Sequence, residues 1–242
     1  MALVQWLPFF TTAIIFVFAV LVFRRYAQRG GLHSLIWGIG LTMYGLGTLA
    51  EALLAITYSP VMLHAWYLFG AILTPAWLGQ GTVHLLVRRK KVANTLLVIL
   101  IIATAIATVK VFSLPTKDAL YVIGVPVSAQ YKDVMPRDTF TAILLSVFAL
   151  YGTVTLVGGA LYSAYIFLRK RIMPQRVLGN VFIAIGGLSP ALGGTLAARG
   201  FGEYLFASEL IGAVLIFIGF RLATTQQPVT APPAPAQAAP IA

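Results

Sequence analysis

The sequence predicts an all-α membrane protein, a bundle of seven transmembrane helices over residues 1–223, and three observations carry that expectation. The chain of 242 residues is 60% hydrophobic and only 10% charged. Its apolar residues come in runs of about twenty, the length that crosses hydrocarbon as a helix. Stretches such as Val92 to Val109 hold no charge at all, whereas a soluble helix of that length would carry a polar stripe.

The first span, Leu7 to Phe23, closes on Arg24-Arg25; MALVQWLPFF has no basic leader and no small-residue cleavage site follows it, so it reads as a retained span. Short connections then separate Leu32 to Thr57, Met62 to Val87 and Val92 to Phe112. The segment Ser113 to Asp138, with three prolines and mixed charges, is the one loop large enough to fold over a face of the bundle. Thr139 to Leu168, Val177 to Ala198 and Tyr204 to Leu222 complete the set. Residues 224–242, rich in Pro and Ala and poor in large apolar side chains, read as a disordered cytoplasmic tail.

Charge sets the orientation. Twelve basic residues and no acidic one lie on the side of Arg24, Arg25, Arg29, Arg88 to Lys91, Arg169 to Arg171, Arg176 and Arg221. The positive-inside rule makes that side cytoplasmic, with the amino terminus outside and the carboxyl terminus inside, in a cell inner membrane. The net charge of +11 therefore belongs to the bilayer and its anionic lipids rather than to nucleic acid. Cysteine is absent, which removes disulfides, thiolate metal sites and thiol nucleophiles.

A shift of 147 residues lays Arg24–Ala50 over Arg171–Ala197 with ten identities in 27 positions, among them Gly47-Thr48-Leu49-Ala50 over Gly194-Thr195-Leu196-Ala197. This reads as a parallel repeat, two triplets of spans joined by the fourth. Parallel triplets of this kind place a solute between them in some transporters. The copies diverge at Glu51, which aligns with Ala198.

Glu51 and Glu209 are the sharpest candidates for chemistry. They fall about 9 and 7 Å below the outer ends of the second and last spans, and an ionisable group at such depth defaults to a functional hypothesis. Structural pairing is the competing reading, with Lys110, Arg137, Arg199 and His64 at a suitable depth. Trp37, Tyr44 and Glu51 recur every seven residues and share one helix face, with Thr48 beside them. Trp77, Gln80 and His84 form a similar face on the third span. The candidate ligand- or proton-binding set is Glu51, Glu209, Tyr44, Trp37, Thr48, His64 and Trp66.

No cofactor is expected. Of the three histidines only His33 and His84 share a depth, and both lie in basic headgroup territory. The last span has no lysine for a Schiff base, and no G-x-S-x-G elbow occurs. An enzyme is not expected.

The stretch WYLFGAILTPAWLGQGT, Trp66 to Thr82, followed by VHLLVRRK, resembles a segment of uncharacterised bacterial seven-transmembrane integral membrane proteins. A Trp-Tyr start, Gly-Ala, then Ala-Trp-Leu-Gly-x-Gly-Thr carries the likeness over a small part of the chain. Weaker similarity extends to the seven-helix sensor region that precedes some histidine kinases. The tail here carries no kinase, so that resemblance implies signalling through a partner, and it implies no catalytic residues.

These readings lead to one expectation: binding or transport of a small lipophilic or amphipathic solute, proton-coupled through Glu51, in an apolar cavity open toward the outside. The alternative is a sensor, receptor-like protein or accessory subunit whose aromatic and glycine faces meet a membrane protein partner or a second copy.

Overall fold

The structure is a computed structural model that describes residues 6–171, 173–197 and 199–224. Ala198 and the Pro/Ala-rich tail from residue 225 onward lie outside the described residues. Among the described residues every regular element is helical.

Helix α1 (Leu7–Arg29) starts on Pro8, whose fixed φ suits a first helical turn. It stops at Gly30 and Gly31, whose φ values of 65° and 94° turn the chain back at a point where a side chain would be strained. Helix α2 (Leu32–Leu54) returns, and α3 (Pro60–Leu86) descends beside it. Helix α4 (Lys90–Phe112) leads to the long loop, which holds a 3-10 turn at Asp118–Leu120 and a short helix α5 (Val127–Val134). Helix α6 (Thr139–Arg169) opens on Asp138, whose carboxylate accepts from the Thr141 backbone N–H at 2.9 Å as an N-cap. Helices α7 (Pro174–Ala197) and α8 (Glu203–Thr224) complete the bundle.

Six helices, α1, α3, α4, α6, α7 and α8, are long and apolar enough to cross a membrane. Helix α2, also 23 residues long, is not in that set; it carries Glu51, Thr48 and four glycines. It is well enclosed by its neighbours, with Ile36, Leu41, Tyr44, Ala52 and Leu54 all buried. Helix α4 is the opposite case: Val98, Ile99, Ile102, Ile106 and Val109 are exposed, an apolar face suited to lipid tails.

Close approach of backbones replaces interdigitating large side chains at the main crossings. A Cβ on Gly47 of α2 would lie 2.7 Å from the Gly70 Cα of α3. On α7, a Cβ on Gly186 would lie 2.8 Å from the Gly212 carbonyl oxygen of α8. The two aligned segments do not pack alike, however: Gly194, which aligns with Gly47, has nothing within 4 Å of its Cβ position.

Two helices carry a wide π turn, α3 at Trp66–Leu73 and α6 at Thr153–Val157. In α3 the cause is visible. Pro75 lacks an N–H, and Thr74 Oγ1 donates to the Phe69 carbonyl, 2.7 Å away and five residues back. Pro190 remains within α7.

The loop folds over the end of the bundle opposite the basic connections. Gln130 clamps it from inside, accepting from Val122 N at 2.8 Å and donating to the Val122 and Val125 carbonyls. Val127, Val134 and Met135 are buried beneath it, and Ser128 Oγ donates to the Gly202 carbonyl at 3.2 Å.

Candidate functional site

The end of α2 and the first turns of α8 bring Glu51 and Glu209 together under this loop. Both are buried, at 2% and 9% exposure, and the two carboxyls are close enough to share a hydrogen bond. Trp66 Nε1 of α3 donates to Glu51 Oε1 at 3.3 Å. Oε2 of each glutamate meets no donor. Ionised carboxylates only accept, so two facing carboxyls bond to each other only when one carries a proton. Among the described residues no Lys, Arg or His lies at salt-bridge distance from either group.

Tyr44 fixes the two helices that hold the pair, donating from Oη to the Glu209 backbone carbonyl at 2.9 Å. Above Glu51 is a recess lined by Ala55, Phe206 and the loop residues Gly124, Val125, Pro126 and Val127, with room for about one water molecule. Tyr121 pins the loop to α2, its hydroxyl donating to the Leu54 carbonyl at 2.7 Å. The Tyr58 ring stacks on Tyr121 with centroids 4.5 Å apart, and Tyr58 Oη donates to Asp118 Oδ1 at 2.6 Å.

The electrostatics of the loop follow from these contacts. The Tyr58 hydroxyl, and then the Thr116 side chain, hold the Asp118 carboxyl below the usual carboxylate range. Burial, and then Asp118, push the Tyr58 phenol up to about 12. Burial does the same to Tyr121, also to about 12. Tyr131 of α5 packs edge-on against Trp66 at 5.3 Å, so the loop also holds the indole that reaches Glu51.

The other candidate residues serve elsewhere. Thr48 accepts from Thr12 Oγ1 at 2.9 Å and ties α1 to α2. Trp37 donates to the Leu78 carbonyl at 3.0 Å, near the basic end. His64 places its ring nitrogens 2.6 and 3.0 Å from the Pro60 and Leu114 carbonyls, joining α3 to the end of α4. Two of the basic partners considered for Glu51 are taken as well: Lys110 pairs with Asp138 at 2.6 Å, and Arg137 donates to Tyr67 Oη at 3.2 Å.

The Trp77, Gln80 and His84 face is a structural tie. Trp77 Nε1 donates to Thr104 Oγ1 at 3.1 Å. Gln80, fully buried, accepts from Tyr151 of α6, donates to the Ala93 carbonyl at 3.0 Å and lies 3.0 Å from His84 Nδ1. Nε2 of His84 faces Asn94 Oδ1 at 3.3 Å. Among the described residues no group of three or more His, Asp or Glu is placed to hold a metal ion.

Among the described residues the expected open cavity is not seen. The loop closes the space above Glu51, and the recess it leaves is small because Tyr121 and Gln130 draw Gly124–Val127 down onto α2. Toward the basic end a narrow apolar crevice runs between helices, lined by residues that include Phe18, Trp37, Leu78, Leu156, Ile183 and Ile216.

The fold and the site define a helical membrane protein with a buried pair of acidic side chains. No protein-family model, curated protein or solved structure matches the chain.

Proposed function

We propose that this protein is a non-enzymatic, seven-span inner-membrane protein that binds or transports a small lipophilic or amphipathic solute, coupled to a proton held between Glu51 and Glu209. In this reading α2 is the seventh span, shielded from lipid by its neighbours, with the amino terminus outside and the carboxyl terminus cytoplasmic. One observation carries the proposal: two buried carboxyls face each other with no cation beside them among the described residues, an arrangement that needs a proton to be stable in hydrocarbon.

The crevice supports the solute path. Its lining takes one or more residues from each of α1, α2 and α3 and from each of α6, α7 and α8, and none from α4. That is the seam between the two triplets of a three-plus-one-plus-three arrangement, and the carboxyl pair bridges the same seam through α2 and α8. The form described here is the closed one.

The test is reconstitution in vesicles with a pH-sensitive dye in the lumen. Wild-type protein passes protons when a gradient is imposed in the presence of the solutes that copurify with it, and Glu51→Gln does not. Equal proton flux in the two proteins would remove the proposal.

A second reading, a sensor or accessory subunit, is favoured by the tightness of the closed form. The crevice admits little more than about one or two water molecules, so protonation can act as a conformational signal without a transported solute.

A further inference from the structure

We infer that the recess above Glu51 is a binding site for the head group of a primary alkylammonium cation, which takes the place of the proton shared by Glu51 and Glu209. The inference rests on the proposed proton exchange at that pair and names the class of solute that competes for it.

The chemistry of the walls selects the charge. Glu51 lines the recess and is 98% removed from solvent, and its Oε2, like that of Glu209, has no donor. The charged or titratable groups that face the pair are Tyr44 from α2 and Tyr121 from the loop, with Glu209 itself from α8, while α3 contributes the neutral Trp66. No cation among the described residues stands within salt-bridge distance. An anion placed here would meet two acids without a counter-charge, whereas a cation would supply one.

Size and hydrogen bonding select the head group. The recess has room for about one water, and an –NH3+ group is of that size. It also carries three donors, one of them for the orphaned Oε2 of Glu51, the acid that lines the recess. A quaternary ammonium brings no N–H and exceeds the space. A bare metal ion requires several oxygen ligands at short range, and two carboxyls alone fall short of that. Ala55, Val125, Val127 and Phe206 leave the remaining walls apolar, which suits the first methylene of an alkyl chain, while the rest of the chain enters only when the loop lifts off α2.

The exchange balances. The pair with one proton carries a single negative charge. When an alkylammonium enters, the proton departs to water, two carboxylates and one ammonium remain, and the charge of the site is unchanged. Solute cation and proton therefore move in opposite senses.

The experiment uses the full chain in nanodiscs of neutral lipid, with n-butylammonium as the probe. Two readouts are followed: fluorescence from Trp66, identified by comparison with Trp66→Phe, and proton release into weak buffer. Wild-type protein is expected to release about one proton per amine bound, and its apparent Kd to rise about tenfold for each unit fall in pH while the pair holds its proton. Glu51→Gln and Glu209→Gln should each weaken binding by about tenfold or more. Binding without proton release overturns the inference, and so does equal occupancy by tetramethylammonium, sodium or butyrate. If the unliganded wild type still exchanges a proton that Glu51→Gln lacks, while butylammonium has no effect, the solute class is wrong and the proton site stands. If neither signal appears, both fall together.

Discussion

Trp66 Nε1 reaches across from α3 to Glu51 Oε1 at 3.3 Å, a neutral donor where a basic side chain would ordinarily answer a buried acid. Trp66→Phe keeps most of the ring and removes the donor. It should lower stability in detergent by about 1–2 kcal/mol, and by much less in a Glu51→Ala background, where the acceptor is gone, since the two residues form one coupled unit. Denaturant unfolding of the double-mutant cycle measures the difference.

The carboxyl pair itself opposes folding when it lacks a proton. Glu51→Gln replaces one acceptor with an amide that can donate to Glu209, and at pH 8 it should raise stability by about 1 kcal/mol. A loss of stability in Glu51→Gln would show that the pair is satisfied in a way the contacts do not reveal. Thermal unfolding of purified protein reports it.

The glycines of the two aligned segments should respond in opposite directions. Gly47→Ala drives a methyl into the Gly70 backbone, and overpacking of this kind is destabilising by about 1–3 kcal/mol. Gly194→Ala meets open space and gains helix propensity, for a change of up to about 1 kcal/mol in the stabilising direction. Melting temperatures of the two variants side by side settle it.

Gln80 joins three helices through buried polar contacts with Tyr151, the Ala93 carbonyl and His84. Gln80→Leu fits the volume but leaves those partners buried and unsatisfied, at a cost of about 2–4 kcal/mol. Melting temperature measures that loss, while proton release and Trp66 fluorescence should show no effect on amine or proton binding, since Gln80 lies away from the carboxyl pair.

The loop should loosen in acid. Asp118 is held below its unfolded value, near 3.9, by Tyr58 and Thr116. A carboxyl shifted in that sense stabilises the closed loop fully above the unfolded value, and the contribution disappears as pH falls through the folded value. Hydrogen exchange at residues 118–130, corrected for intrinsic rates, should therefore rise below about pH 4. Tyr58→Phe should raise it already at neutral pH.

Much of this molecule is legible in its sequence because lipid simplifies the code. Apolar runs of about twenty residues mark helices, and a carboxylate inside one, such as Glu51, stands out by its cost. Equal depth also points Glu51 toward Glu209. What lies beyond the sequence depends on contacts between distant segments. Tyr121 meets the Leu54 carbonyl 67 residues away, and that contact turns an expected open cavity into a covered recess. The π turn at Trp66–Leu73 alters the phase of α3, so helical periodicity does not aim Trp66 at Glu51. Shared letters mislead as well: Gly47 and Gly194 align, yet only Gly47 abuts a neighbouring backbone.

That same π turn gives α3 a swivel. A π turn holds one more residue than an α turn, and one residue corresponds to about 100° of rotation and 1.5 Å of rise. If Trp66–Leu73 tightened to α geometry, everything before it would twist by that angle relative to Trp77 and Gln80, which are anchored to α4 and α6. The indole would swing off Glu51 while the lower half of the helix stayed still. The loop packed on Trp66 through Tyr131 would be carried with it, so a change of one hydrogen-bond register in mid-membrane becomes an uncovering of the acids at one end.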